Sequence, residues 1–237
     1  MLEPLRTGRL AGALYLIVVL TGIFTLAYVP SRVPLSGEPA SVLDAVRAQE
    51  PLFRLGIAAF IAMQVSFLLL PLALFPLFRP AAPLAATGMV ALVAVSVPVA
   101  LVTLSARLDL LALVADPSYA SALTQEQLQA DALRSVTRYY NGLTITRVFW
   151  GAWLLPLGYA VLRSGLLPRI LGVFLILGGL GYIVDVCGTL LIPGYTESLF
   201  PRWVTRPAAL GEIGTCLWLL IAGVRHTHNA ATPNPAA

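Results

Sequence analysis

Lysine is absent from the 237 residues, histidine occurs only at 226 and 228, and cysteine only at 187 and 216. Each scarcity excludes something. No histidine falls in a long apolar run, so histidine-based metal sites and serine–histidine–aspartate chemistry are excluded from those runs. Cys187 and Cys216 make no CxxC or Cys/His metal spacing and read as small, reduced core residues. No HExxH, GxSxG or GxxxxGK[ST] signature occurs, and no cofactor or metal is expected. Charge is also scarce. Charged residues make up 11% of the chain, against roughly 25% in soluble domains.

Apolar residues fill the gap, at 58% of the chain with a mean hydropathy of +0.85. Such a chain cannot cover a water-facing surface, so it reads as an integral membrane protein with the lipid bilayer as its first partner. All fifteen basic residues are arginine. They are scattered at the ends of apolar runs and form no basic stripe, so no nucleic-acid partner is expected despite a pI near 9.4.

The charge-free runs predict an all-α, six-helix transmembrane bundle in one domain, 1–226. Its spans lie at about 10–29, 55–78, 84–106, 142–162, 170–193 and 207–224, before a short disordered tail at 227–237. Arg6 and Arg9 before the first run resemble a signal peptide. The run continues to Val29 with no Ala-x-Ala site, which argues for a retained helix. Six spans put both termini on one side. The short loops on that side hold six arginines and one acid, whereas the other side, leaving out Arg107 and Asp109 at the end of the third span, holds seven of each. Arginine density in short loops therefore places both termini in the cytoplasm, and the protein in a bacterial inner membrane. The opposite loops are expected to carry short amphipathic helices. One begins at Ser41, with Asp44 at its third position, and ends at Pro51. A second, a surface helix, runs from a capping box at Thr124–Gln127 towards Tyr139.

Three charged residues fall where a bilayer tolerates few: Arg147, Asp185 and Glu212. The charge-free run after Arg147 reaches only to Leu162, the run before Asp185 starts only at Ile170, and the run after Glu212 ends at Val224. A span needs ~20 residues, so all three charges lie inside the hydrocarbon layer. Charges there are costly and mark functional sites by default. Helix rise sets their depth. Arg147 and Asp185 are each sixteen residues from the arginine at the inner edge, and Glu212 is thirteen from Arg225. These spacings correspond to ~24, ~24 and ~20 Å. Gln64 and Thr25 fall at similar depth, which predicts one polar layer in the outer half of the membrane. Arg54 and Arg107 are expected at the outer interface, where long side chains snorkel.

Gly178-Gly179-x-Gly181 is a fragment of a dinucleotide fingerprint. It lies inside a span with no strand before it, so it reads as a helix-packing stripe. Gly8-x-x-x-Gly12 straddles the start of the first span and is the weaker of the two. Trp203, beside Arg202, reads as an interface anchor.

Several segments carry a family resemblance. They are Gly12-x-x-Tyr15-Leu16 with Thr21-Gly22, Leu52 through Ile57, and Trp153-Leu-Leu-Pro-Leu-Gly-Tyr159 running through Arg163 to Gly172. Gly181-Tyr-Ile-Val-Asp185 and Glu212 with Leu217-Trp-Leu219 complete the set. On these the chain resembles the bacterial membrane family named domain of unknown function 4386. The resemblance implies a polytopic bacterial membrane protein of about this length, and it implies no activity. Arg54, Asp185 and Glu212 fall in the segments that carry it.

Three functional readings follow. In the first, the polar layer binds a small or lipidic ligand, or a proton. Arg147 is then the anion anchor or counter-ion, Asp185 and Glu212 its partners, Gln64 a neutral hydrogen-bonding wall, and Arg54 a further ligand-binding or ion-pair candidate. In the second, the chain is an accessory or scaffold protein and the layer is a structural salt-bridge network. An intramembrane acid/base enzyme, working through the two carboxylates, is the third reading.

Overall fold

The computed structural model describes residues 2–224. The tail expected at 227–237, together with Arg225, His226 and His228, lies outside the described residues. Among the described residues all regular structure is helical. Six helices are long and apolar enough to cross a membrane. These are α1 (Leu2–Ile23), which continues through a π turn at Phe24–Tyr28 into α2 (Val29–Arg32), then α4 (Glu50–Phe78), α5 (Pro83–Ala115), α7 (Gln125–Ser164), α8 (Arg169–Leu191) and α9 (Phe200–Val204) with α10 (Arg206–Ile221). Two short helices, α3 (Pro39–Ala48) and α6 (Pro117–Ser121), fill the loops at the end away from the termini.

Each long helix packs against its neighbours in sequence, and α10 closes the ring against α1. Closure depends on small residues. Gly12 sits against the backbone of Leu219 and Leu220, and Gly8 against Val224. The weak Gly8/Gly12 pattern is therefore the seam that joins the first and last helices, at helix-packing spacing. This seam also puts the two ends of the described chain on one face of the bundle, as an even number of spans requires. The ring has two apolar cores. One, around Tyr15, Leu70, Phe78, Met89 and Trp153, fills the half nearest the termini. The other, around Phe53, Phe60, Leu104, Leu110 and Tyr139, packs α3, α4, α5 and α7 together at the far end.

Several boundaries differ from the sequence expectation. The helix expected to start at Ser41 starts at Pro39, after an extended Glu38, because proline favours the first turn. Ser41 lies inside it and donates its hydroxyl to the Glu38 carbonyl at 2.6 Å. Pro51 does not end that helix; it stands in the first turn of α4. The surface helix after Thr124 is not separate. It runs without a break into the fourth span, giving a helix of 40 residues whose outer turns project beyond the ring. Its outer turns bury Leu128, Ala132, Val136 and Tyr139. Cys216 is buried as expected, with its Sγ 3.8 Å from the Gly12 carbonyl, but Cys187 is exposed on the outer face of α8.

The capping box forms as the sequence predicts. The Thr124 Oγ1 accepts from the Gln127 amide at 3.2 Å, and the Gln127 Oε1 accepts from the Thr124 amide at 2.9 Å. Thr124→Ala removes one of these bonds and is expected to cost about 1 kcal/mol, confined to the first turns of α7. Hydrogen exchange should speed at the amides of Glu126 and Gln127 and stay unchanged beyond Leu143. Unchanged exchange at both places would mean that tertiary packing, and not the cap, holds the start of the helix.

The π turn has a local cause. Pro30 has no amide hydrogen, and its ring opposes the carbonyl four residues earlier, at Leu26. The Val29 amide reaches past the normal partner to the Phe24 carbonyl. Thr25 turns inward and donates to the Gly56 carbonyl at 3.0 Å, which ties the widened turn to α4.

Candidate functional site

The ring encloses a cavity of about 730 Å³ in the half away from the termini. That size is typical of sites that hold a small organic molecule. Arg147, Asp185 and Glu212, each from a different helix, all line it. Arg147 and Asp185 make an ion pair across α7 and α8, 3.4 Å from Nη1 to Oδ2. Asp185 is almost fully enclosed by protein, whereas 39% of the Arg147 side chain stays accessible from the cavity. Glu212 takes a different partner. The buried Tyr15 hydroxyl donates to its Oε1 at 3.2 Å, and among the described residues no cation pairs with it. Tyr15 is held in turn by the ring of Trp153, with centroids 6.0 Å apart. The floor of the cavity therefore carries one matched pair and one carboxylate bonded to a phenol.

The other expected members divide. Gln64 is fully buried on α4, and both its amide atoms lack a partner. It does not line the cavity; Met63 and Phe67, on either side of it in sequence, do. The expected Gln64 wall is therefore absent, because the α4 face turned to the cavity is apolar. Thr25 is not at the level of Gln64 either. Its partner Gly56 lies eight residues, ~12 Å, nearer the far end of α4. The π turn, which ties Thr25 to Gly56, breaks the single-depth rule. Arg54 lies outside the site, paired with Glu50 at 2.7 Å on an exposed face.

Sequence reasoning misjudged Arg107. It does not snorkel outwards. It is only 2% exposed, and it lines the cavity. Its guanidinium lies 4.1 Å from the Tyr139 ring centroid and 5.4 Å from that of Phe53, and no acceptor serves its Nε. Asp109, two residues along, faces away and pairs with Arg138 at 3.1 Å. The signal available in the sequence was the outward extension of the fourth span, which brings Tyr139 over Arg107 and covers it. Arg202 and Arg206 complete the charged lining. Arg206 stacks on Trp203, 3.7 Å to the ring centroid, so Trp203 supports a cavity arginine as well as facing the surroundings.

The described residues contain no group of three or more histidine, cysteine, aspartate or glutamate side chains able to hold a metal ion. Chemically the site offers arginines, phenols and two carboxylates around an apolar interior, a set that suits an amphiphile.

No solved structure matches the chain. A protein from Archaeoglobus fulgidus, described as uncharacterized, is 29% identical over 101 residues, which cover 43% of this chain and 58% of that relative. The match thus takes in little more than half the relative's length. The family model described as Domain of unknown function (DUF4386) matches residues 10–223, nearly the whole described chain, and this multi-pass helical membrane protein belongs to that family.

Proposed function

We propose that this is a non-enzymatic membrane protein whose cavity binds a small or lipidic ligand, with both termini in the cytoplasm of a bacterium. One observation carries the reading: three intramembrane charges on three different helices converge on one cavity large enough for a ligand. Charges kept only to order helices need no cavity between them. The orientation is supported by Arg79, Arg163 and Arg169, which sit at the ends of helices that share a face with the chain termini.

The second reading, a scaffold held by its polar layer, is favoured by the Arg147–Asp185 pair itself, which locks α7 to α8. Native mass spectrometry of protein purified in a mild detergent separates the two, with wild type beside Asp185→Asn. The ligand reading expects a discrete bound mass in wild type that is lost in the variant. Absence of a bound mass from both, with the variant merely less stable, would establish the scaffold.

A further inference from the structure

We infer that the cavity takes an anionic lipid, its headgroup held at Arg107 and its acyl chain leaving sideways between α1 and the α9–α10 pair. This rests on the ligand-binding reading and names the class of ligand. Arg107 is the first argument. A buried guanidinium at membrane depth is costly without a counter-charge. Among the described residues no carboxylate pairs with it. Asp109 is taken by Arg138, and Asp185 by Arg147. Two aromatic faces offset part of the cost, since a cation over an aromatic ring is attracted by the ring quadrupole. The Nε remains without an acceptor, and so does the buried Tyr139 hydroxyl beside it. Both residues line the cavity; the two atoms themselves are covered, so a shift of either side chain would present an unserved donor to an anion there.

The charge balance agrees. Arg107, Arg147, Arg202 and Arg206 line the cavity against Asp185 and Glu212, an excess of two positive charges. The acids sit on the floor. Arg107 lies eight residues of helix above it, level with Tyr139, while Arg202 lies within α9 and Arg206 opens α10. Headgroup chemistry is therefore concentrated at the end where lipid headgroups lie.

The mouth of the cavity identifies the source. Ile23 and Leu26 near the π turn and Ile213 on α10 line the cavity, yet they are 54%, 37% and 40% exposed. They belong to membrane-spanning helices on the α1–α10 side of the cavity, where an opening would face acyl chains. Helices α1 and α10 meet at Gly12 and Tyr15, in the half nearest the termini, and beyond Tyr15 Val19 and Gly22 of α1 and Ile213 of α10 line the cavity. A soluble anion would reach Arg107 without needing this apolar side door.

The test uses delipidated full-length protein titrated with dioleoyl phosphatidylglycerol or dioleoyl phosphatidylcholine and read by native mass spectrometry. Wild type is expected to hold one phosphatidylglycerol at a concentration at least tenfold below that needed for phosphatidylcholine. Arg107→Gln should abolish that preference, Arg107→Lys should keep most of it, and Arg79→Gln, on the opposite face, should leave it intact. If Arg107→Gln does not fold, competition in wild type decides. Inorganic phosphate at millimolar concentration should fail to displace the phosphatidylglycerol; displacement would make the ligand a soluble anion and overturn the lipid assignment. Equal retention of the two lipids would remove the anionic class while leaving the ligand-binding reading standing. A preference that survives Arg107→Gln would overturn the anchor. Retention of neither lipid overturns this inference alone, provided the purified wild type carries some other bound mass.

Discussion

Gly178→Ala is expected to lower stability by about 3 kcal/mol, at the top of the usual cost of overpacking. A Cβ built on Gly178 meets the backbone of Ala208, and one on Gly181 meets the carbonyl of Val204. On the other side of the same helix, a Cβ on Gly179 would lie 2.7 Å from the Gly151 carbonyl. Thus α8 is pinned between α7 and the α9–α10 pair at backbone distance, and no rotamer can relieve the clash. Close approach of this kind is how helices associate in a medium as apolar as their own side chains. Moving α8 off α10 would also shift Asp185 against Glu212, so the site should loosen with the fold. Gly88→Ala is the internal control. Its Cβ would find only Pro156, at an ordinary 3.8 Å, and the change should be neutral or stabilising by up to ~1 kcal/mol through helix propensity. Thermal unfolding of both variants in one detergent measures the contrast. Equal melting temperatures for Gly178→Ala and wild type would mean that α8 and α10 do not touch through backbone.

The glycine stripe shows what local sequence can disclose. Gly178-Gly179-x-Gly181 was legible as packing because a lone fragment of a nucleotide motif inside an apolar run has no strand to serve. The span count was legible for the same elementary reason: charge-free length maps onto bilayer thickness. Arg147, Asp185 and Glu212 were legible because an intramembrane charge is conspicuous wherever it points. Direction was not legible. Depth follows from counting residues, but the azimuth of a side chain on a bundle helix depends on partners far away in sequence. Gln64 has the expected depth and the wrong azimuth. Arg107 was assigned to the interface because its own span seemed to end there; its burial is caused by turns of α7 that the sequence suggested were a separate surface helix. Gly8 and Gly12 looked weak because their partners, Leu219, Leu220 and Val224, are at the other end of the chain.

The two halves of the Arg147–Asp185 pair are expected to be unequal. Removing one partner of a buried ion pair leaves the other uncompensated and costs about 3–5 kcal/mol when that residue is fully enclosed. Asp185 is enclosed, with 7% of its side chain exposed, whereas Arg147 keeps 39% open to the cavity. Arg147→Met strands the enclosed carboxylate and should cost about 3 kcal/mol. Asp185→Leu strands an arginine that water in the cavity can reach, and should cost nearer 1 kcal/mol, within the range of a partly solvated pair. The double variant leaves no stranded charge. It should recover most of the larger loss, a coupling of at least ~1 kcal/mol, since the side chains are in direct contact. Unfolding in mixed micelles, wild type against the two single variants and the double, yields all three figures. Additive losses would mean that the pair does not form. Equal single losses would mean that the cavity is dry, and a dry cavity lined by four arginines and two acids would require an occupant to hold those charges. The asymmetry is therefore more than a stability figure: it reports whether water or a ligand fills the space beside Arg147.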